Sequence, residues 1–263
     1  MATKVNRFSV MVAGTKGCGK SSFFDNLVGK KIIQEEAPDE INVYMLNLDC
    51  EGIMQKITFI DTQGFNSTND LLVQNNIINF IKEQFDLFMA EENKIRRNSK
   101  YEDTRVHCLL YFFPATGCGL KQTDLHFLQN VKNLVNIIPV ISKADGLSNT
   151  EVKKYKNLII HQFNQYEIPI FNLENNDLLT EQILEMKLNS IVPFTIINGY
   201  EKVKFINNYE IEIDNPNFND LSILREVILS SHLDALIDQT ATILYENYRT
   251  TALESVLGEK QDE

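Results

Sequence analysis

The segment Gly14-Thr15-Lys16-Gly17-Cys18-Gly19-Lys20-Ser21 matches GxxxxGK[ST], and no other eight residues limit the fold so strongly. Before it, residues 10–13 form a short apolar run that reads as a buried strand. After it, residues 20–27 read as a helix stopped near Gly29. Strand, glycine loop and helix in that order are what the pattern requires of a phosphate-binding loop. Glycines let the backbone wrap a phosphate without side-chain clashes, and successive N–H groups then point inward. The helix adds its positive N-terminal end. On this reading Gly14, Lys16, Gly17, Cys18, Gly19, Lys20, Ser21 and Ser22 hold phosphates. Lys20 reaches the β and γ positions, and the Ser21 hydroxyl ligates Mg²⁺. With glycine at about 7% of residues, chance supplies such a match in roughly one chain of this size in a hundred. The competing reading, a glycine turn that binds nothing, leaves the flanking strand and helix unexplained.

Further along, residues 42–49 alternate loosely, Glu51-Gly52 marks a turn and residues 56–61 resume as a strand, so the pair reads as a hairpin. Residues 71–97 look helical, with a basic end at Lys94, Arg96 and Arg97. Residues 106–113 and 135–141 are near-continuous apolar runs that fit strands covered on both faces, with helices at 124–131 and 152–163. The order β-α-β-β-α-β-α-β-α is that of an α/β domain with a mostly parallel sheet, whose ligands sit at the carboxyl ends of the strands. Two more motifs fall at such ends. Asp61-Thr62-Gln63-Gly64 places a Mg²⁺ carboxylate at Asp61 and a γ-phosphate amide at Gly64. Ser142-Lys143-Ala144-Asp145 offers at Asp145 a carboxylate that accepts two hydrogen bonds from guanine, a donor pair adenine lacks, with the Lys143 stem against the base. Either motif alone is weak; three in the correct order select a site for GTP or GDP with Mg²⁺. Beyond residue 165, residues 178–186 read as a helix, 191–197 as a strand and 203–213 as a short antiparallel element. Residues 221–248 read as a long amphipathic helix or helix pair, and the polar stretch from Thr251 as a fraying tail.

Composition narrows the remaining classes. Lys and Arg number 25 and Asp and Glu 36, a formal net charge of −11 that argues against a nucleic-acid partner. Cys18, Cys50, Cys108 and Cys118 make no CxxC pair and no metal-ligand spacing, the pattern of a reduced cytoplasmic protein. No run approaches the ~18 apolar residues of a membrane span, and polar residues interrupt any signal-peptide core in residues 1–14. His107 and Cys108, neighbours on a strand, face opposite ways and read as a packed histidine and a core cysteine rather than a metal site. Cys18 reads as a small residue the loop needs rather than a redox thiol. The basic residues near 94–97 read as a solvated helix end.

The chain resembles the septins, GTP-binding proteins that polymerise into cytoskeletal filaments. Residues 103–113, Asp-Thr-Arg-Val-His-Cys followed by Leu-Leu-Tyr-Phe-Phe, resemble the septin central strand. Gly117-Cys118-Gly119-Leu120-Lys121 is similar to the segment after it, and residues 135–145 to the septin guanine-specificity segment. Val192-Pro193-Phe194 to Gly199 and Tyr245-Glu246-Asn247-Tyr248-Arg249 resemble the septin-specific extension. The resemblance implies a three-layer P-loop GTPase domain over residues 1–188 with a mostly parallel central sheet. It implies a septin-type extension over 189–250, with a short antiparallel element and a long helix, and a polar tail over 251–263. It further implies a guanine contact at Gly199, partner-subunit contacts at Cys118 and Glu151, and assembly with other septin subunits. The setting it implies is the cytoplasmic cytoskeleton and the septin ring at the division site, in cytokinesis.

The departures from the septin pattern matter as much. Residues 1–8 leave no room for the basic, lipid-binding helix that usually precedes the loop, so membrane association is expected to be weak or to run through partners. The chain has no Trp, where septins carry one in the extension. No arginine lies between Gly199 and Asp220 to pack on guanine, leaving Lys202 or Lys204 in that role. Cys118 stands where septins usually have a His that reaches the partner's nucleotide. Phe65 follows Gly64 where Ras-like GTPases place a water-orienting Gln, and Gln63 precedes the glycine. From residue 23 to 57 there is neither Ser nor Thr, so the hydrolytic threonine is missing. Such septins bind GTP without hydrolysing it. The expectation is a septin-like subunit with a mainly structural nucleotide; a monomeric regulatory GTPase switch is the alternative.

Overall fold

The structure is a computed structural model. It describes residues 7–29, 31, 41–50, 53–66, 70–96, 98, 101–174, 187–199, 202–204, 210–212, 215 and 218–259. The helix expected at 178–186, the acidic loop near Glu35 and Asp39, and Arg97 lie outside the described residues.

Strand β1 (Arg7–Gly14) is buried from its second residue onward, as a strand covered on both faces must be. Its alternation divides the core in two. Phe8, Val10 and Val12 face one apolar cluster with Phe23 and Phe24; Met11 and Ala13 face another with Ile77, Phe85 and Phe127. Helix α1 (Lys20–Val28) follows, closed by Gly29 in the left-handed region. Strands β2 (Asn42–Cys50) and β3 (Ile53–Asp61) form the expected hairpin. Then come α2 (Asp70–Glu92), β4 (Cys108–Pro114), α3 (Gln122–Val131), β5 (Asn136–Ser142) and α4 (Asn149–Gln165). A short α5 (Leu188–Ile191) leads into β6 (Phe194–Ile196). The six strands stand in the order β2-β3-β1-β4-β5-β6, parallel except for the β2–β3 pairing. The element order is the one read from the sequence. The strand expected at 191–197, at the start of the segment assigned to the extension, is β6, which pairs with β5 as the sheet's sixth strand. A separate hairpin of β7 (Lys202–Lys204) and β8 (Glu210–Glu212) is the antiparallel element.

Helix α2 stops at Glu92, five residues short of the expected end at 97. Glu91 explains the stop: its carboxylate accepts from the Lys94 ammonium at 2.6 Å and from the Asn98 backbone N–H at 2.7 Å, folding the chain back.

The long C-terminal helix is broken into α6 (Leu221–Glu226), α7 (Leu233–Gln239) and α8 (Tyr245–Glu259), joined by π-helical turns at Val227–Ser231 and Thr240–Leu244. Buried Asn136 accounts for the second break. Its amide donates to the His107 carbonyl (2.8 Å), the Leu236 carbonyl (3.1 Å) and the Thr240 hydroxyl (3.0 Å), pinning the helix to the sheet where its own ladder widens. Helix α8 runs past Thr251, where fraying was expected, to Glu259. His107 is a packed core residue: Nδ1 accepts from the Ser9 N–H at 3.0 Å and the ring stacks on Phe8. Burial pushes the Cys108 thiol far up.

At the first break, His232 Nε2 donates to the Leu173 carbonyl at 2.7 Å. Burial lowers its pKa below the ordinary 6.5, against the opposing pull of that hydrogen bond. A depressed base favours the unfolded chain once protonated. Its contribution to stability is present above pH 6.5 and is lost as pH falls through the lowered folded value. Denaturant unfolding at pH 7.5 and 5.5 should show a stability loss on acidification that His232→Gln reduces; an identical pH slope in the variant would contradict this.

Candidate nucleotide site

Strands β1 and β4 lie side by side, and the chain leaves them in opposite directions, β1 toward β3 and β4 toward β5. A crevice opens above their carboxyl ends, as expected of an open parallel sheet. A cleft of about 570 Å³ occupies it. Lys16, Gly17, Gly19, Lys20, Ser21 and Ser22 line it from the glycine loop, Asp61 and Gly64 from the end of β3, and Lys143 and Asp145 from the turn after β5. The three motifs, up to 131 residues apart in sequence (Gly14 to Asp145), thus share one cavity.

The loop's shape depends on glycine at two points. Gly14 has φ +135, and a Cβ there would lie 2.2 Å from the Phe112 carbonyl oxygen, so β1 leaves the sheet against β4 where no side chain fits. Gly19, the N-cap of α1, has φ +76. Lys20, only 6% exposed, sends its ammonium back to the Gly14 and Thr15 carbonyls at 3.3 and 3.2 Å, bracing the loop it projects from. Phe65 closes the other side. Its N–H donates to the Gly14 carbonyl at 3.0 Å, and its carbonyl accepts from the Lys16 N–H at 2.9 Å. Its ring is buried against Tyr111 and Phe127. The DxxG segment is thereby zipped to the glycine loop, and the residue at the water-orienting position is a core side chain.

The Ser21 hydroxyl donates to Asp61 Oδ2 at 2.6 Å. Two hard oxygen donors therefore stand side by side on the cleft wall, a set that fits Mg²⁺. Lys143 has φ +56 in the left-handed region and is exposed; it turns the chain into the short helical turn carrying half-buried Asp145.

Other sequence-derived residues fall elsewhere. Gly14 lies beneath the cavity rather than on its wall. Cys18 is 2% exposed in the apolar core, its thiol pushed up by burial, so its side chain faces away from the cleft. Gly199 is half-buried and not on the wall; its neighbour Asn198 is. Cys118 is exposed, and its thiol lies 3.6 Å from the Thr116 carbonyl. Exposed Glu151 caps α4, accepting from the Ser148 hydroxyl at 2.7 Å and N–H at 2.8 Å, contacts that hold its carboxyl below the usual range. Neither lines the cleft. Residues that sequence reasoning missed are Asn42 and Asn198; Thr62 and Gln63, which it named within the motif without a binding role, also line the cleft. A strand-end rule would have found Asn198, two residues past the end of β6 beside β5, and Asn42, which pairs with Asp61 across the hairpin.

The septin family model matches residues 4–262 of this chain. The chain belongs to the septin family. It is similar to cell division control protein 11 of Encephalitozoon cuniculi, 51% identical over 255 residues that cover 94% of this chain and 95% of that protein. It is also similar to the septin CDC11 of Candida albicans, at 37% identity over 94% of this chain and 70% of that one. The crystal structure of Cdc11 from Saccharomyces cerevisiae matches with a TM-score of 0.66 and 32% identity, covering 94% of this chain and 99% of that chain. The expected family and the α/β septin fold are thereby established, and a septin-like cytoskeletal subunit is favoured over a monomeric switch.

In this septin, Gly14→Ala should cost about 2–3 kcal/mol or more, because the new Cβ meets fixed backbone at a φ that side chains rarely adopt. Denaturant unfolding of both proteins checks it; Gly17→Ala, where a Cβ would meet nothing within 4 Å, should cost less.

Proposed function

We propose that this septin binds a guanine nucleotide, GTP or GDP with Mg²⁺, as a mainly structural ligand, and works beside other septin subunits in a hetero-oligomer of the dividing cell's cytoskeleton. The observation that carries the nucleotide reading is the meeting of the glycine loop, Asp61 with Gly64, and Lys143 with Asp145 in one cleft. In this reading the Gly17–Ser22 backbone and Lys20 hold the phosphates, and Ser21 and Asp61 hold Mg²⁺. Asp145 accepts from the guanine ring N–H and exocyclic amine, with the Lys143 stem against the base. Bound Mg²⁺ supplies charge neutralisation of the phosphates. The burial of Phe65 and the lack of Ser or Thr between residues 23 and 57 support slow or absent hydrolysis.

The hetero-oligomer, the division-site ring and the interface roles of Cys118 and Glu151 follow from the family. The chain's relatives include two proteins named for cell division control. Both Cys118 and Glu151 are exposed, as a subunit contact requires. No described helix is long and apolar enough to cross a membrane.

Two charge-assisted hydrogen bonds to Asp145 should favour GTP over ATP by roughly a hundredfold or more. Asp145→Asn should weaken GTP and admit xanthosine triphosphate. Calorimetric titration checks both; equal affinity for ATP and GTP in the unmodified chain contradicts the assignment. Single-turnover hydrolysis of bound GTP should not exceed the ~10⁻⁴ s⁻¹ of an unassisted Ras-like GTPase. A clearly faster rate would overturn the structural role. Expressed alone, the chain should give small oligomers by light scattering and join longer assemblies only with other septins; long filaments from this chain alone at low salt would show otherwise.

A further inference from the structure

Asn198 reaches the glycine loop from the end of β6. Its amide donates to the Gly19 carbonyl at 2.8 Å, and its oxygen accepts from Asn26 Nδ2 at 3.2 Å. Gly19 fits it closely, since a Cβ there would lie 2.6 Å from Asn198 Nδ2. The Gly19 carbonyl already accepts the first helical bond of α1, from Phe23 N–H at 3.0 Å, so Asn198 fills its second lone pair. That carbonyl shares a rigid peptide plane with the Lys20 N–H. Fixing one end of the plane fixes the direction of the other, and Lys20 is on the cleft wall.

Asn198 is itself held from the C-terminal side. Buried Asn219 brackets the residue before it, accepting from the Ile197 N–H at 3.2 Å and donating to the Ile197 carbonyl at 2.9 Å. The same Asn219 oxygen accepts from the Leu221 N–H at the start of α6, at 3.2 Å. From α6, Arg225 donates to the Asn26 and Leu27 carbonyls at 2.8 and 3.0 Å, at the far end of α1. The circuit closes through Asn26, whose side chain bonds Asn198 and whose carbonyl bonds Arg225. A nine-residue helix carrying the loop at one end is thus gripped at both ends by residues after position 197.

We propose that Asn198 is a positioning residue for phosphate binding. It sets the Gly19–Lys20 peptide plane, and α6, through Asn219 and Arg225, sets Asn198. This rests on the nucleotide reading given above and adds to it a dependence of phosphate affinity on the seating of α6. Linkage makes the dependence reciprocal: bound nucleotide steadies α6 as much as α6 favours the nucleotide.

The test uses the full chain with Mg²⁺ and titrates GDP and inosine diphosphate, which lacks the exocyclic amine that Asp145 would read. Asn198→Ala should weaken both about three- to tenfold, the worth of one neutral hydrogen bond, and leave their ratio unchanged. Arg225→Gln should weaken GDP in the same direction. The double variant should lose less than the product of the two single losses, because both break one circuit. Hydrogen exchange adds a readout that a general loss of stability does not mimic: GDP should protect the Leu221–Glu226 amides in the unmodified chain and protect them less in Asn198→Ala. Unchanged GDP affinity in Asn198→Ala, a shifted GDP to inosine diphosphate ratio, or strictly multiplicative losses would each overturn the proposal. If the unmodified chain binds neither diphosphate, the nucleotide reading itself fails and takes this one with it.

Discussion

A side chain at residue 14 would sit 2.2 Å from the Phe112 carbonyl oxygen, so only glycine lets β1 end where it does. Much of the site follows from that approach. With β1 pressed against β4, the Gly14 carbonyl meets both the Lys20 ammonium and the Phe65 N–H. The first contact curls the loop over its own strand. The second draws the end of β3 over the loop and brings Asp61 to the Ser21 hydroxyl. One backbone contact in the sheet therefore brings together the candidate phosphate donors and the candidate metal ligands.

Electrostatics complete what packing begins. The chain carries a net charge of −11, yet the cleft gathers Lys16, Lys20 and Lys143 with the amino end of α1. Local field, not average charge, decides what such a cavity accepts. Asp61, on the wall of the same cleft, is 4% exposed, and a divalent cation between it and the phosphates would reconcile a buried carboxylate with an anionic ligand.

What the sequence made legible was whatever left a pattern. Glycines at fixed spacing, doubly buried apolar strands and an aspartate just past such a strand gave the sheet, the order of its elements and most of the cleft wall. The misses share a physical origin. Asn198 and Asn42 are single polar residues near strand ends, outside any motif, and a strand-end rule marks their place without showing what they bond. The second break in the C-terminal helix comes from a pin set a hundred residues away, between Asn136 and the Leu236 carbonyl, which no local periodicity reports. Helix α2 stops early because Glu91 recaptures the chain, a local event that composition does not distinguish from a longer helix. Cys18, read as a small residue the loop needs, turns its side chain into the core and leaves only its backbone for the phosphate wall.

In the proposed reading, this septin's cleft is built around a guanine nucleotide. The most direct measurement is to purify the chain under native conditions without added nucleotide, release any ligand with acid and identify it by chromatography against standards. GTP or GDP is expected at close to one per chain, with uptake of guanine rather than adenine nucleotide when the stripped protein is offered both with Mg²⁺. Adenine nucleotide in the extract, or a stripped chain that takes up no guanine nucleotide at millimolar concentration, would contradict it.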